Sequence, residues 1–466
     1  MEEKTIKISK KAFLNSLVIL FVLMCLALLL TYIVPSGTYK KVTTNGIETI
    51  DPNSFTYIPK VKLPVYKLFT APIEVLFTKD AALVITIILF ILFVSGSFSI
   101  LTKANIVKAI ILSIVRKFEK NKYMLIAIVI FIFMSLGAIL GLFEEMIPLV
   151  PLVVSLALSM GFDVLTGLGM SLLAVGFGFS AAISNPFSIG VAQKIAGLPL
   201  FSGAYLRIVF FIITYVIVTL FVISHARAVE DKSATSKLGN EENISEKQTR
   251  AIRFFVFSLI LMLFVVIIAP FNPTLSSLTL PLITLIFLIA GFGSGILAGF
   301  SLKETFSTFF EGVLNVAPSI ILILMAVSVK HIIEQGYVID TILHFAQAFI
   351  LKTNKYVAGI LMYVTTMVLN FFIGSASAKA FLVMPILAPL SDLVGLTRQV
   401  AVTAYCFGDG FSNLLYPTNA VLIIGLSLAD MPYPKWIKWT IKIQAIIFLI
   451  SVLFLMFAIK IRFGPF

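Results

Sequence analysis

Charge is scarce in this chain, and so are the residues that build cofactor sites. Only 12% of its 466 residues are Asp, Glu, Lys or Arg, whereas 59% are hydrophobic. Apolar runs of about 20 residues, the length that spans a bilayer core, recur from end to end; they exclude a soluble fold and imply an all-α polytopic membrane protein. The two cysteines, Cys25 and Cys406, both lie inside apolar runs, so a disulfide framework, a zinc site and an iron-sulfur site are excluded and no metal is expected. The three histidines, His225, His331 and His344, fall near run ends and read as surface residues.

The net charge of +13 does not call for nucleic acid, because the basic residues cluster at the ends of apolar runs, where they report topology. Lys103, Lys108, Arg116, Lys117, Lys120 and Lys122 crowd one connection; Arg227, Lys232, Lys237, Lys247, Arg250 and Arg253 flank another. Both connections are expected in the cytoplasm together with the N-terminus, in a multi-pass protein of the inner (cytoplasmic) membrane in contact with lipid. The apolar run from Phe13 to Val34 is too long for a signal-peptide core and reads as the first spanning helix.

Spanning runs are expected at about 13–34, 81–102, 164–196, 203–225, 251–269, 276–299, 311–332, 397–428 and 436–461. Two further apolar blocks, about 123–160 and 355–393, are too long for one helix and too short for two, and each is interrupted near its middle. They read as re-entrant hairpins. Amphipathic stretches precede both and are expected to lie in opposite interfaces as supporting arms. The glycine-rich "GFGSGILAG" at 291–299 suits helix packing. A polar, charged stretch divides the chain into 1–225, a cytoplasmic linker at 226–250, and 251–466.

The halves repeat. Asn121 to Tyr123 recur as Asn354 to Tyr356, a shift of 233, and Pro151, Gly161, Gly176, Phe177 and Asn185 recur as Pro385, Gly395, Gly410, Phe411 and Asn419, a shift of 234. Counted from a cytoplasmic N-terminus, the first hairpin enters from the cytoplasm and the second from outside. Inverted repeats with broken helices place a transporter's substrate near the bilayer midplane, where they meet.

Each repeat also carries a helix break inside an apolar run, Ser184-Asn185-Pro186 in the first and Pro417-Thr418-Asn419 in the second. Free backbone groups at membrane depth are tolerable only where protein, ligand, ion or water satisfies them. Such a break can hold a cation on its carbonyls or a carboxylate at a helix N-terminus. The second hairpin tip reads "GSASAKAF", with Ser375, Ser377 and then Lys379; the first reads "GLFEEM", with Glu144 and Glu145. An ionised residue at this depth costs roughly 3 kcal/mol even on a lenient scale. Either one of the two acids reads the cargo's charge, or Glu145 forms a structural ion pair with Lys379, its repeat counterpart. Asp409, between glycines and followed by Ser412 and Asn413, can carry a proton, a sodium ion or a substrate amine.

The tip followed by "AFLVMP" and the breaks "SNPFSIG" and "YPTNAVLIIG" resemble the four-carbon dicarboxylate anaerobic carrier family, in its branch of basic amino acid antiporters within the ion transporter superfamily. The likeness covers nearly the whole chain. It implies two inverted repeats, a scaffold that dimerises, and a transport domain moving as an elevator. It also implies Ser-Asn-Thr triplets at the tips, which bind substrate carboxylate and help form sodium sites. Here the second tip reads Ser375-Ala376-Ser377 and the first Gly141-Leu142-Phe143, so the amides are lost and acids stand close by.

The expected function is therefore secondary transport of a small amino acid-like solute, possessing a basic side chain like arginine or ornithine, by exchange or ion coupling. Carboxylate uptake coupled to sodium or protons is the alternative. The expected substrate-binding residues are Glu144, Glu145, Ser184, Asn185, Ser375, Ser377, Thr418 and Asn419, with Asp409, Ser412 and Asn413 coupling ion or charge. No cofactor is expected beyond a coupled sodium ion or proton, and the expected assembly is a homodimer. An enzyme is not expected: "FGDG" resembles an intramembrane aspartyl protease, but Cys406 replaces the upstream glycine and no paired aspartate exists.

Overall fold

The computed structural model describes residues 10–44, 47–78, 81–118, 121–231, 245–268 and 273–464. The centre of the expected linker, 232–244, lies outside them, as does Lys120. Among the described residues nine helices are long and apolar enough to cross a membrane, or up to ten if one bent pair counts as a single span.

Helix α1 (Lys10–Ile33) leads into two small antiparallel pairs, β1 (Gly37–Thr38) with β4 (Thr56–Tyr57) and β2 (Lys41–Thr44) with β3 (Ile47–Ile50). Then follow α2 (Lys67–Glu74), α3 (Ala81–Lys103) and α4 (Ile106–Phe118). The first interrupted block is α5 (Lys122–Ser135), a π turn at Leu136–Leu140, a tight 3-10 turn at Glu144–Leu149 and α6 (Val150–Ser159). It returns on itself, since Lys122 Nζ at its start donates to the Met160 carbonyl at its end (3.0 Å). The first broken span is α7 (Val164–Leu168), α8 (Ala174–Ala181) and α9 (Val191–Ile195), with π turns at Gly169–Leu173 and Pro186–Gly190. Helix α10 (Ala204–Val229) closes the half.

The second half comprises α11 (Glu246–Ile268), α12 (Pro273–Leu297), α13 (Leu302–Val316), α14 (Ser319–Gln335), α15 (Ile339–Ile350), α16 (Lys355–Asn370) and α17 (Ala376–Leu393). It ends with α18 (Arg398–Gly410), a 3-10 turn at Phe411–Leu414, α19 (Ala420–Leu428) and α20 (Tyr433–Lys460). The run expected at 311–332 is not one straight span. It falls across α13 and α14, which bend by 43° at Ala317–Pro318, because Pro318 lacks an amide hydrogen and its ring crowds the preceding turn.

Burial separates two kinds of helix. The broken span Val164–Ile195 is 94% buried inside the protein, whereas the window Glu246–Val265 of α11 is 22% buried and presents its apolar side chains outward. Interrupted backbone therefore lies in protein rather than lipid, as its unpaired groups require. In a separate layer, small residues bring α3, α12 and α13 into contact: a Cβ on Gly291 would stand 2.7 Å from Ser97 Cβ, and one on Gly312 2.4 Å from Ser99 Oγ. The stretch 291–299 packs as expected.

The ends of the two hairpins adjoin different connections. Beside the linker, Glu230 accepts from Lys122 Nζ (3.1 Å) and Tyr123 Oη (2.7 Å), and Asp231 N donates to the Gly161 carbonyl (2.8 Å). On the second hairpin, α17 packs beside β3, and α15, which packs on both α16 and α17, is bonded to the same loop through Tyr39 N to Asp340 Oδ2 (3.0 Å).

The histidines are partnered rather than free surface residues. His225 Nε2 lies 3.1 Å from Asp163, His331 Nε2 lies 3.1 Å from Glu74, and His344 stacks on Phe55 at 3.9 Å. Burial pushes the Glu74 carboxyl up, but hydrogen bonds from Lys67 and His331 outweigh it and hold Glu74 at about 2.

Candidate functional site

Both breaks are built by the same device. In the first, Ala182 takes a left-handed conformation (φ +43°), which ends α8. Asn185 then caps the next helical segment, its Oδ1 accepting from Phe187 N (2.9 Å) and Ser188 N (3.2 Å), and Pro186 occupies the first helical position, where no amide hydrogen is needed. In the second, Asn419 Oδ1 accepts from Leu422 N (3.2 Å) and caps α19. Each break is tied to its own hairpin by a hydroxyl: Ser184 Oγ donates to the Ile139 carbonyl (3.0 Å) and Thr418 Oγ1 to the Phe371 carbonyl (2.7 Å).

The contacts between the halves are reciprocal. A Cβ on Gly176 would stand 2.7 Å from Leu414, and one on Gly410 would stand 2.3 Å from Ser180 Oγ. Under the shift of 234, each contact is the counterpart of the other. Phe177 packs edge-on against its own counterpart, Phe411, with ring centroids 5.4 Å apart.

The second tip joins the breaks. Ser377 Oγ donates to the Phe187 carbonyl (2.9 Å) of the first break, while the Phe371 carbonyl holds Thr418 of the second. Ser375 caps α17, its Oγ accepting from Ala378 N at 3.4 Å. Gly374 beside it is exposed, with open space around it. The first tip reaches the first break through Gly141 (φ +72°), where a Cβ would stand 2.2 Å from Asn185 Oδ1.

Glu144 and Glu145 are not drawn into this network. Glu145 accepts from Phe143 N (3.3 Å) within its own turn, Glu144 is exposed, and among the described residues neither forms an ion pair. The alternative offered for Glu145, a structural pair with Lys379, is therefore not formed. Lys379 pairs with Asp409 instead, both fully buried, because the first turn of α17 packs against α18 rather than against the other hairpin. The ammonium also donates to Asn370 Oδ1. Asn370 Nδ2, with two hydrogens to donate, lies within hydrogen-bond distance of the Asp409 carbonyl (2.9 Å), Ser412 Oγ (2.7 Å) and Asn413 Oδ1 (2.9 Å), and Asn413 Oδ1 accepts from Asn419 Nδ2 (2.8 Å). Asp409, Ser412, Asn413 and Asn419 thus form one connected cluster. Asn185 Nδ2, Ser188 Oγ and Asp409 Oδ2, at the breaks and in this cluster, are among the buried polar atoms that have no hydrogen-bond partner among the described residues.

Two members of this region were missed in the sequence. Asn370 is a lone amide at the end of an apolar run. Arg207, 1% exposed within α10, donates to the carbonyls of Ile183 (3.0 Å), Phe201 (3.1 Å) and Ser202 (2.8 Å) and so supports the first break. A charged residue inside a spanning run was the available signal. Among the described residues no group of three or more His, Cys, Asp or Glu is arranged to hold a metal.

Broken, capped helices and returning hairpins inside a bundle of apolar helices define a multi-pass membrane protein of the transporter class. The chain belongs to the DcuC family, the C4-dicarboxylate anaerobic carriers, whose model matches residues 13–460. A relative in Escherichia coli (strain K12), named "Putative basic amino acid antiporter YfcC", is 29% identical, with 94% of each chain covered. An uncharacterized protein of Haemophilus influenzae is 23% identical, covering 96% of this chain and 97% of its own. Among solved structures, the YdaH transporter of Alcanivorax borkumensis matches with a TM-score of 0.45 and 18% identity over 96% of this chain and 99% of that one. MtrF of Neisseria gonorrhoeae, from a class of antimetabolite efflux pumps, matches at 0.43 and 16% over 97% and 96%. The family and the named relative are transporters, not enzymes.

Proposed function

We propose that this protein is a secondary transporter in the inner membrane, N-terminus in the cytoplasm, that exchanges small amino acid-like solutes with basic side chains by alternating access. The observation that carries the reading is the set of reciprocal contacts joining Gly176 to Leu414, Gly410 to Ser180 and Phe177 to Phe411, the pattern expected where two copies of one unit meet about a pseudo-twofold axis. Attachment of the first hairpin beside the linker and of the second beside the β1–β4 loop supports opposite insertion of the copies.

In this reading the hairpins and broken helices move as an elevator against a dimeric scaffold that includes α3 and α11 to α13. The cargo's carboxylate lies among the unpartnered Asn185 amide and Ser188 hydroxyl and the capped helix starts at Asn185 and Asn419, assisted by Ser184, Ser375, Ser377 and Thr418. Its cationic group faces Glu144 or Glu145. The Asp409, Ser412 and Asn413 cluster couples charge to movement. The name of the Escherichia coli relative supports a basic cargo. The family description supports a second reading, carriage of a C4-dicarboxylate.

Counterflow in proteoliposomes separates them. Loading with arginine or ornithine is expected to stimulate uptake of the labelled amino acid. Stimulation by succinate alone rejects the basic-cargo reading in favour of the second.

A further inference from the structure

The second hairpin–break unit contains a cation site whose occupant is part of the chain. Helix α16 ends at Asn370, so its C-terminus, carrying partial negative charge, approaches α18 beside Asp409. The carboxylate of Asp409 adds a full negative charge, and Asn370 Oδ1 adds a neutral oxygen. Every one of these features favours a cation. The Lys379 ammonium, from the first turn of α17, stands there with both side chains of the pair wholly removed from solvent.

A buried pair of this kind contributes little stability over apolar residues of the same size, so stability alone is a weak reason for its presence. None of these three residues recurs at the same place in the first repeat, and only an acid stands where Lys379 would be. Asp409 corresponds to Val175 and Lys379 to Glu145, while Asn370, at the shift of 233, corresponds to Gly137. The neighbourhood is nonetheless equivalent: Asn370 donates to the Asp409 carbonyl, and a Cβ on Gly137 would stand 2.4 Å from the Val175 carbonyl. The two places thus share a backbone approach and differ in the side chains that occupy it.

We propose that the Lys379 ammonium is the resident cation of this cluster, standing where a free sodium ion would otherwise bind, so that the transport cycle runs without sodium. The proposal rests on the transporter reading only for its flux measurement, because cation binding is read separately from protein stability. In detergent, replacing choline by 100 mM sodium is expected to leave the wild-type melting temperature unchanged and to raise that of Lys379→Ala by about 2 °C or more, since a ligand that binds the native state stabilises it. In proteoliposomes, wild-type exchange is expected to be equal in sodium and choline. The neutral double variant Lys379→Ala/Asp409→Asn buries no lone carboxylate, is expected to fold even where the single variant does not, and is expected to ignore sodium. A wild type that sodium stabilises or whose exchange needs sodium, a folded Lys379→Ala protein indifferent to sodium, or a double variant that sodium stabilises overturns the proposal. Absence of exchange with any solute counts against the transport reading and leaves the thermal measurement to decide the cation assignment.

Discussion

The two hairpin–break units share a backbone plan and differ in how they treat charge. In the first, the hairpin meets the broken helix through glycine: Gly137 lies on the Val175 carbonyl and Gly178 on Met134, where a Cβ would stand 2.0 Å from the carbonyl oxygen. Its acids, Glu144 and Glu145, lie past the tip and outside the polar network. In the second, the corresponding space holds Asn370, Lys379 and Asp409, whose charges cancel internally. The difference teaches that backbone geometry and charge were set separately. Caps and close approach make the breaks, while side chains decide whether a unit carries a neutralised cluster or leaves charge available.

The largest effect is expected from breaking the neutralised cluster. Asp409→Asn leaves the Lys379 ammonium buried without its counter-charge, which costs about 3–5 kcal/mol. Thermal unfolding should show the loss, and exchange should fall to background. Adding Lys379→Met to that variant removes the stranded charge and should recover most of the stability without recovering exchange. If Asp409→Asn alone unfolds like wild type, the cluster is not the closed electrostatic unit described here and the contrast between the repeats fails.

Next in size is the contrast between the tips. Gly141 is left-handed and faces Asn185 at a distance no Cβ can share, whereas Gly374 has open space around it and does not take a left-handed conformation. Gly141→Ala should cost about 1–3 kcal/mol through backbone strain and displacement of the Asn185 cap. Gly374→Ala should stay within about 0.5 kcal/mol of wild type. Unfolding in the same detergent compares them directly; equal costs would mean that the first tip is not held against its break.

Much of the architecture was legible because membrane depth forbids unsatisfied backbone. Proline and asparagine at 185–186 and 417–419 marked the breaks, and blocks too long for one helix marked the hairpins. The partner of Lys379 was not legible. A repeat shift pairs positions, here Glu145 with Lys379, but a pairing along the sequence is not a contact; helix phase turned the lysine toward Asp409, 30 residues away. Asn370 was hidden because a single neutral polar residue scarcely changes an apolar run, whereas Arg207, a charge inside a spanning run, was a signal left unread. The histidine partners were hidden by distance along the chain, 257 residues for His331 and Glu74 and 62 for His225 and Asp163.

The smallest effects bear on equivalence itself. Ser184 and Thr418 are counterparts, and each donates its hydroxyl to a carbonyl of its own hairpin, at 3.0 and 2.7 Å. Ser184→Ala and Thr418→Val remove the hydroxyl while leaving the rest of each side chain nearly intact. A neutral hydrogen bond of this kind contributes about 1 kcal/mol, so the two variants should lose similar stability, within about 0.5 kcal/mol of each other, and the double variant should lose the sum because the sites share no partner. The Ser184 amide also donates to the Ala138 carbonyl (3.1 Å), a backbone bond that Ser184→Ala leaves in place. Any asymmetry should therefore make the Ser184 variant the milder one. A Ser184→Ala protein clearly less stable than Thr418→Val would show that the first break depends on its hydroxyl in a way the second does not, and the two units would then share a shape without sharing the interaction that holds it.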